Sequence, residues 1–304
     1  MSRDFTHNHL TEFRSGFVAI LGAPNAGKST LLNRFLGEKI SITSKKPQTT
    51  RNRILGILHR DNAQIVFLDT PGVHHSKKPL NVRIVDVALS AIADADLILF
   101  LVDASRPDPK AEAIILKRLQ DQAKPVLLIL NKIDLVKKSI LLKQIESWSE
   151  AYPFAAIVPV SAAKGTMLTA LLSEMESRLM PGPPFFPKDS ITDVSLRFLS
   201  GEIIREKTFR LTGQEIPYSV AVTVDQFLEK KGGKRISITA TIHVERDSQK
   251  GIVIGRSGSK LKQIGEAARK SIERLTAARV YLKLFVRVQK NWSSDTKALR
   301  KFGY

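Results

Sequence analysis

The octet Gly22–Ser29 carries the clearest chemical signal in this chain of 304 residues. It reads GAPNAGKS and matches G-x-x-x-x-G-K-[ST], a pattern that wraps around phosphate groups between a strand and a helix. Gly27 lets successive backbone N–H groups face the phosphates, with the positive end of the next helix behind them. We expect Lys28 to lie against the β- and γ-phosphates of a nucleotide and Ser29 to ligate Mg²⁺. The alternative is an ordinary glycine-rich turn.

A second phosphate and metal signal follows the apolar run 65–68, where the chain continues as Asp69-Thr70-Pro71-Gly72. An aspartate at the end of such a strand can hold the Mg²⁺ shell, and the N–H of Gly72 can reach the γ-phosphate. Val73 follows, at the point where Ras-like proteins carry the glutamine that orients the attacking water. An apolar side chain cannot take that role.

Between these two segments lies Gln48-Thr49-Thr50-Arg51, in a polar and basic loop. A threonine hydroxyl here can complete the Mg²⁺ shell only while the γ-phosphate is present, which would make the loop a switch. Thr50 is favoured over Thr49 because it directly precedes Arg51. The alternative for either residue is a solvated loop threonine.

Two further segments predict which base is bound. Asn131-Lys132-Ile133-Asp134 ends the apolar run 126–130, and Ser161-Ala162-Ala163-Lys164-Gly165 follows the last strand candidate of this half. The Asp134 carboxylate can accept from the N1–H and the exocyclic amine of guanine, a pair of donors that adenine does not present. The backbone of the second segment suits the guanine O6. All four segments in this order predict a guanine-nucleotide site.

The predicted nucleotide site draws on every one of these segments. Its residues are Gly22, Ala23, Pro24, Asn25, Ala26, Gly27, Lys28, Ser29, Thr30, Thr50, Asp69, Thr70, Pro71, Gly72, Val73, Asn131, Lys132, Asp134, Ser161, Ala162 and Ala163. Among them, Lys28, Thr50 and Gly72 are predicted to act in hydrolysis. The predicted Mg²⁺ ligands are Ser29, Thr50 and Asp69.

The elements that must position these residues alternate between apolar strands and amphipathic helices. This alternation predicts an α/β domain with a mainly parallel sheet and helices on both faces over residues 16–180, preceded by an extension, residues 1–15. The strand candidates are Gly16–Leu21, Gln64–Asp69, Leu97–Asp103, Pro125–Asn131 and Ile157–Val160. The helix candidates are Lys28–Leu36, Lys110–Gln122 and Ile140–Glu150. A proline-rich stretch predicts an interdomain linker at 181–190.

The remaining residues, 191–304, predict a smaller α+β domain. A helix over 190–206 precedes two alternating strands joined as a hairpin around 231–234, then a helical pattern from 261 to 275 and a strand over 280–288. Gly255-Arg256-Ser257-Gly258 lies just before the long helical pattern. This order resembles the KH domain of the bacterial type, in which such a loop clamps about four nucleotides.

The predicted RNA contacts are the small residues and cations around this loop. They are Lys250, Gly255, Arg256, Ser257, Gly258, Lys260 and Lys262, with Arg269 and Lys270 adding phosphate attraction. The charge distribution agrees, because residues 251–304 hold 13 Lys/Arg against 3 Asp/Glu and the whole chain carries +19. A solubilising basic face is the alternative explanation of the charge alone.

The phosphate-loop, Gln48–Arg51 and Asp69–Gly72 segments, together with Lys39–Ser44, resemble the Era family of bacterial GTPases over nearly the whole chain from Gly16. The resemblance implies slow intrinsic GTP hydrolysis and binding of small-subunit ribosomal RNA near its 3′ end during assembly of that subunit. We also expect a monomer that uses GTP or GDP with Mg²⁺. In cation-activated relatives of this class an asparagine at the position of Asn25 helps to ligate K⁺.

Composition limits the alternatives. With no cysteine the chain has no disulfide or thiolate metal site, and no apolar run reaches the roughly 18 residues of a membrane span. No secretory signal is evident at the N-terminus. The lack of cysteine fits a cytoplasmic protein, which is what we expect. Two rival functions stay open from the sequence: an RNA-binding scaffold that responds to nucleotide with negligible turnover, and a GTPase whose basic surface contacts anionic membrane at the inner face of the cell membrane.

Overall fold

The computed structural model describes residues 12–43, 50–74, 79–213, 216, 220–230 and 234–303. In these ranges the chain forms two sheets, each covered by helices of its own half of the sequence. No helix in this part of the chain is both long and apolar enough to cross a bilayer.

The N-terminal domain is built on a mainly parallel sheet in the order β2-β3-β1-β4-β5-β6, with β7 pairing with β1. The strands are β1 (Arg14–Gly22), β2 (Ile54–His59), β3 (Ala63–Asp69), β4 (Leu97–Asp103), β5 (Val126–Asn131), β6 (Ala156–Pro159) and β7 (Met180–Pro181). The helices are α1 (Lys28–Leu36), α2 (Pro79–Asp94), α3 (Pro109–Gln120), α4 (Lys138–Ala151) and α5 (Leu168–Glu176).

The central strands are continuous apolar runs because helices cover both faces of the sheet. β3 and β4 are buried along their whole length. One face packs on α1 and α5 and the other on α2 and α3, which produces two cores on either side of the sheet. The predicted α/β architecture is confirmed, and α1 and β4 have the predicted bounds.

Two strand predictions need correction. β1 begins at Arg14 rather than Gly16, because Arg14 pairs with Ala63 of β3 and with Pro181 of β7, so the domain takes in part of the predicted extension. β2 is not among the predicted strands. It is the antiparallel edge of the sheet, where the partly exposed face weakens the apolar pattern that reveals the buried strands.

The C-terminal domain is α+β with a three-stranded sheet in the order β10-β9-β8, in which β9 is antiparallel to β8 and parallel to β10. Its elements are α6 (Leu196–Leu211), β8 (Ala221–Glu229), β9 (Arg235–Val244), α7 (Asp247–Ile254), α8 (Ser259–Thr276), β10 (Arg279–Val288) and α9 (Thr296–Lys301). The inner face of this sheet and the buried side of α8 form a separate core, as the predicted second domain requires.

The segment between the domains is anchored along the N-terminal sheet. The Nε2 atom of His59 lies 2.8 Å from the Ser190 carbonyl oxygen, and the Thr192 hydroxyl donates to the carbonyl oxygen of Leu55 at 2.7 Å. The predicted helix over 190–206 begins only at Leu196, because Ser195 caps it by accepting from a backbone N–H of the first turn.

Candidate functional site

The phosphate loop leaves β1 at Gly22 and enters α1 at Lys28. Lys28 is buried, and its Nζ donates to the carbonyl oxygens of Gly22 (3.0 Å) and Ala23 (2.9 Å). Burial lowers the pKa of Lys28 to about 8, against the opposing effect of the Asp69 carboxylate. An ammonium group that is costly to bury alone is thus held where phosphate charge would stabilise it.

The floor of this loop is set by Asn131, which lies 105 residues away in sequence. Its Nδ2 donates to the carbonyl oxygen of Ala26 at 2.8 Å, and its Oδ1 accepts from the N–H groups of Lys132 and Ala162. Gly27 has φ 106°, and a Cβ there would lie 2.2 Å from Asn131 Nδ2. One amide side chain therefore joins three of the predicted segments and requires glycine at position 27.

The three predicted metal ligands come together below the loop. The Ser29 hydroxyl lies 3.0 Å from that of Thr50 and donates to Asp69 Oδ2 at 2.9 Å. Ser41, which the sequence did not single out as a site residue, donates to the same Oδ2 at 2.6 Å. Among the described residues, Asp69 Oδ1 is buried without a hydrogen-bond partner. A set of hydroxyl and carboxylate oxygens with one open oxygen suits a hard divalent cation.

The Asp69 carboxylate is fully buried, and this burial raises its pKa, although hydrogen bonds from Ser41 and Ser29 and the charge of Lys28 oppose the shift. A carboxylate in this position gains most from a nearby cation. The chemistry of the site therefore favours a filled metal position.

The residues after Asp69 divide between the site and the core. Gly72 is packed against Pro24 of the phosphate loop, so closely that a Cβ would lie 2.7 Å from its Cα atom. The Thr70 hydroxyl donates to the Ile20 carbonyl oxygen at 2.7 Å and so supports the strand. Val73 is fully buried in the apolar core beside the sheet, and its N–H donates to Gly22 O at 3.1 Å. The Val73 side chain therefore does not line the nucleotide site.

The predicted base-reading residues are assembled at the carboxyl ends of β5 and β6. The Ser161 hydroxyl donates to Asp134 Oδ1 at 2.6 Å, and the N–H of Lys164 donates back to the Ser161 hydroxyl. Asp134 is exposed, and this bond ties its carboxylate to the segment that continues into Ala162 and Ala163. The arrangement leaves Asp134 Oδ2 available for a base.

Three other predicted residues lie around the phosphate and base sites. Thr30 lies in the first turn of α1, and Asn25 is exposed at the tip of the loop with φ 64°. Lys132 pairs with Asp103 beside the site. Gln48 and Thr49 lie outside the described residues.

The second predicted site lies where α7 ends and α8 begins. Gly255, Ser257 and Gly258 all have positive φ, and a Cβ at Gly255 would lie 2.6 Å from the Lys260 Cβ. Arg256 and Ser257 are exposed. The loop therefore turns sharply and presents its backbone and cations to solvent.

A groove of about 390 Å³ opens beside this loop, between α8 and β10. Its lining combines apolar side chains with charged ones: Gly258, Leu261, Lys262, Gly265, Glu266, Arg269, Leu282 and Leu284. Leu261 is partly exposed there and forms part of the groove wall, while Ile264 and Ala268 on the same helical pattern are fully buried. Lys250 and Lys270 are not among the lining residues.

The two sites are joined through Arg51, the neighbour of the metal-site residue Thr50. Arg51 is 2 % exposed and donates from Nη1 to the carbonyl oxygen of Val220 in the C-terminal domain at 2.9 Å. Its guanidinium carbon lies 5.6 Å from the ring centre of Trp292 and 5.9 Å from that of Phe209. Sequence reasoning missed this contact, whose only local signal is an arginine beside the predicted switch threonine.

Comparisons with known proteins agree with this geometry. A family model described as 50S ribosome-binding GTPase matches residues 17–132, and a KH-domain model matches residues 215–293. GTPase Era of Geobacter metallireducens is 54 % identical over 292 residues, which cover 96 % of this chain and 98 % of that protein. GTPase Era of Lacticaseibacillus paracasei is 49 % identical over 295 residues, covering 97 % and 98 %.

The chain belongs to the Era family of GTPases.

Two solved Era structures share its fold, each with a TM-score of 0.92, 40 % identity and coverage of 96 % of this chain and 99 % of the other. One is Era in complex with MgGDPNP and nucleotides 1506-1542 of 16S ribosomal RNA, and the other is Aquifex aeolicus Era Y63A bound to GDP.AlF4-. The two family models identify the N-terminal domain as a GTPase domain and the C-terminal domain as a KH domain. The scaffold without turnover is therefore set aside.

Proposed function

We propose that this protein is a GTP-hydrolysing switch whose nucleotide state controls the binding of small-subunit ribosomal RNA, near the 3′ end, during assembly of that subunit. Support comes from the full-length match to an Era structure that holds a 16S ribosomal RNA segment. The family model named for the 50S subunit covers the GTPase domain alone. The match to the Era structure spans both domains.

The observation that carries the switch is the adjacency of Thr50 and Arg51. The hydroxyl of Thr50 lies in the metal site beside Ser29, while the next side chain is buried against the RNA-binding domain. A movement of Thr50 toward a γ-phosphate must shift the backbone of Arg51 too. Nucleotide state is thereby transmitted to the interface between the domains.

The other flank of the loop makes a second connection. Ser41 bonds the metal-site carboxylate, while Lys39 two residues earlier donates to both oxygens of Glu206 on α6, at 2.8 and 2.7 Å. The carbonyl oxygen of Thr43 accepts from Arg210, also on α6, at 2.6 Å. The described residues on both sides of positions 44–49, 39–43 before them and 50–51 after them, therefore contact the metal site and the C-terminal domain together.

The coupling is tested by Arg51→Ala with Arg53→Ala as the matched control, since Arg53 is half-exposed and pairs with Asp94 on the N-terminal domain. RNA affinity is measured with GDP and with a non-hydrolysable GTP analogue bound. A nucleotide-dependent difference in the typical range of about 5- to 150-fold is expected for the wild type and for Arg53→Ala. Arg51→Ala should bind nucleotide normally and lose most of the difference.

A thermal melt accompanies the assay because Arg51 is buried, and Arg51→Lys serves as the milder variant. Lysine keeps the charge but lacks the planar group that stacks on aromatic rings. If folded Arg51→Ala and Arg51→Lys keep the wild-type ratio of affinities, the domains are not coupled through this residue.

Mg²⁺ fits the site, with Ser29, Thr50 and Asp69 as the residues that would hold it. When bound it would neutralise charge developing on the phosphate oxygens. The chain itself contributes the buried Lys28 ammonium group, the N–H groups at the start of α1 and the close approach of Gly72 to the loop. With Val73 in the core, hydrolysis is slow until water is positioned by backbone or by a partner.

K⁺ bound near the exposed Asn25 would accelerate turnover, and equal rates in KCl and NaCl would exclude this.

The protein acts as a cytoplasmic monomer. The membrane alternative is tested by co-sedimentation with anionic liposomes in the presence of competing RNA.

A further inference from the structure

The outer face of the C-terminal sheet carries a regular row of cations and aromatic rings. Successive side chains of a strand point to opposite faces. On β10 the outward residues are Arg279, Tyr281, Lys283, Phe285 and Arg287, all exposed, whereas Leu282 and Leu284 line the groove on the other side. One strand thus contributes to two different surfaces.

The aromatic members of this row are unusually open. Tyr281 is 68 % exposed and Phe285 47 % exposed, and Lys283 lies between them with its Nζ 5.1 Å from the Phe285 ring centre. Residues four apart on a strand are about 13 Å apart. Single exposed apolar residues are common, but exposed rings grouped on one surface with cations between them are a feature of interaction sites.

The floor beside the rings is small and hydroxylated. Ser237, Thr239 and Thr241 of β9 stand in register with Tyr281, Lys283 and Phe285.

Among the described residues, one carboxylate, Asp225, points onto this floor. It accepts from the Thr223 hydroxyl at 3.0 Å and the Thr241 hydroxyl at 2.6 Å. The far end of the face is closed, where Phe302 packs on His243 at 4.6 Å between ring centres.

We propose that this outer sheet face, the surface formed by Arg279, Tyr281, Lys283 and Phe285, is a second RNA site that binds single-stranded RNA by stacking, on the opposite side of the sheet from the groove. Its cations form no ion pair with carboxylates of the described chain, so their charge is available to phosphates. Exposed rings accept bases of any identity, because every base has a π-face. A protein partner would more often meet an apolar centre with few charges.

The location explains what such a site adds. The groove accommodates about four nucleotides beside the glycine loop. A longer strand that leaves the groove at the edge strand β10 reaches the row on its outer side. The KH domain would then hold one RNA on both faces of the sheet and gain affinity through the linkage of two contacts.

The test compares two unstructured RNAs, a 6-mer that suits the groove and a 20-mer long enough to pass around β10. The variant Tyr281→Ala/Phe285→Ala should bind the 20-mer about 10- to 100-fold more weakly and the 6-mer as well as the wild type does. The control is Phe185→Ala, whose ring is 53 % exposed on the interdomain segment and should alter neither. A thermal melt on each preparation checks folding.

A second variant, Arg279→Glu/Lys283→Glu, keeps the rings and should weaken 20-mer binding while flattening its dependence on salt. Photocrosslinking of a 20-mer that carries 4-thiouridine should label the β10 peptide. Equal 20-mer affinity for all folded variants, with no label on β10, would overturn the site. If the variants lose binding to phosphatidylglycerol vesicles but keep their RNA affinity, the face is a membrane-binding surface. That result would also overturn the proposed RNA site.

This inference rests on the proposed RNA binding. The 6-mer distinguishes failure of the second site from failure of the proposed function, because it tests the groove alone. Failure of the wild type to bind either RNA would remove the proposed function itself. The second site alone would be excluded by two results together. Binding of the 6-mer would depend on Arg256 and Ser257, and binding of the 20-mer would not change when Tyr281 and Phe285 are replaced.

Discussion

The two glycine loops use the same backbone device in opposite surroundings. Gly27 and Gly258 both cap a helix with positive φ, and neither helix start has a side-chain cap bond, so N–H groups face outward in both. Around Gly27 the space is filled by Asn131, whereas a Cβ at Gly258 would have nothing within 4 Å. One loop is closed by the fold and the other is open to solvent.

The charges differ in the same way. Lys28 is buried over backbone carbonyl oxygens, while Lys262 is exposed at the groove. A closed site with a buried cation is suited to one phosphate chain in one position. An open site with exposed cations is suited to a polymer whose phosphates are exchangeable and whose attraction is screened by salt. Substitutions should therefore have large, localised effects in the first site and graded, salt-dependent effects in the second.

The largest effect is expected at the closed site. Lys28→Ala removes the buried cation of the phosphate loop, and Ser29→Ala removes a metal-site hydroxyl. Each should lower GTP hydrolysis at least about 10³-fold, measured as steady-state phosphate release. RNA binding by the groove in the nucleotide-free protein should persist. Substantial turnover in either variant would show that the loop is not where the phosphates bind.

The second largest effect is expected on the choice of base. Asp134→Asn replaces an acceptor of two guanine donors by an amide, which can donate to the oxygen of xanthine. GTP affinity should fall at least about 100-fold and xanthosine triphosphate binding should appear. Competition binding with both nucleotides measures this. Unaltered GTP affinity would mean that another group reads the base.

The open site should respond in a graded way. Replacing Arg256 and Ser257 with Asp puts two negative charges where a phosphate backbone passes and removes one positive charge. RNA affinity should fall about 10- to 100-fold with a flatter salt dependence, while GTP hydrolysis stays near the wild-type rate. Filter binding over a salt series and a GTPase assay on one preparation decide it. A folded variant with full RNA affinity would exclude the loop as the clamp.

A smaller effect follows from the lowered pKa of Lys28, about 8. A bound triphosphate adds negative charge and raises this pKa, so binding takes up a proton above pH 8. GTP affinity should be flat below pH 7.5 and fall about tenfold between pH 7 and pH 9. Lys28→Arg, which stays protonated, is the control and should show a flat profile. An equal slope in both proteins would assign the titration elsewhere.

The smallest effect on rate is expected for Val73→Ala, because the Val73 side chain is buried in the core and away from the phosphates. Hydrolysis should stay within about threefold, and the free energy of unfolding should fall by about 2 kcal/mol from the lost methyl groups. Denaturant unfolding and phosphate release are the two readouts. A variant as inactive as Lys28→Ala would give Val73 a direct part in catalysis.

Prediction from sequence succeeded where the determining contacts are local. The bounds of α1 follow from the loop before it and from Gly37 after it, which ends the helix with φ 70°. β4 is recognisable as a run of apolar residues because both of its faces are buried. Edge strand β2 and the late start of α6 were not found, since a half-covered strand and a capped helix start carry weaker local patterns.

By itself the sequence determined two domains, a guanine-nucleotide loop set and a glycine loop before a long basic helix. Those features depend on residues that lie within a few positions of one another, where backbone geometry and periodicity are decided. Only the tertiary structure decided that Ser41 bonds Asp69 and that Arg51 is buried against Val220, 169 residues along the chain. It also separated the groove from the outer row on β10. Alternation along β10 predicts that the strand has two faces, but which elements cover each face depends on how distant segments pack, and local spacing does not encode that packing.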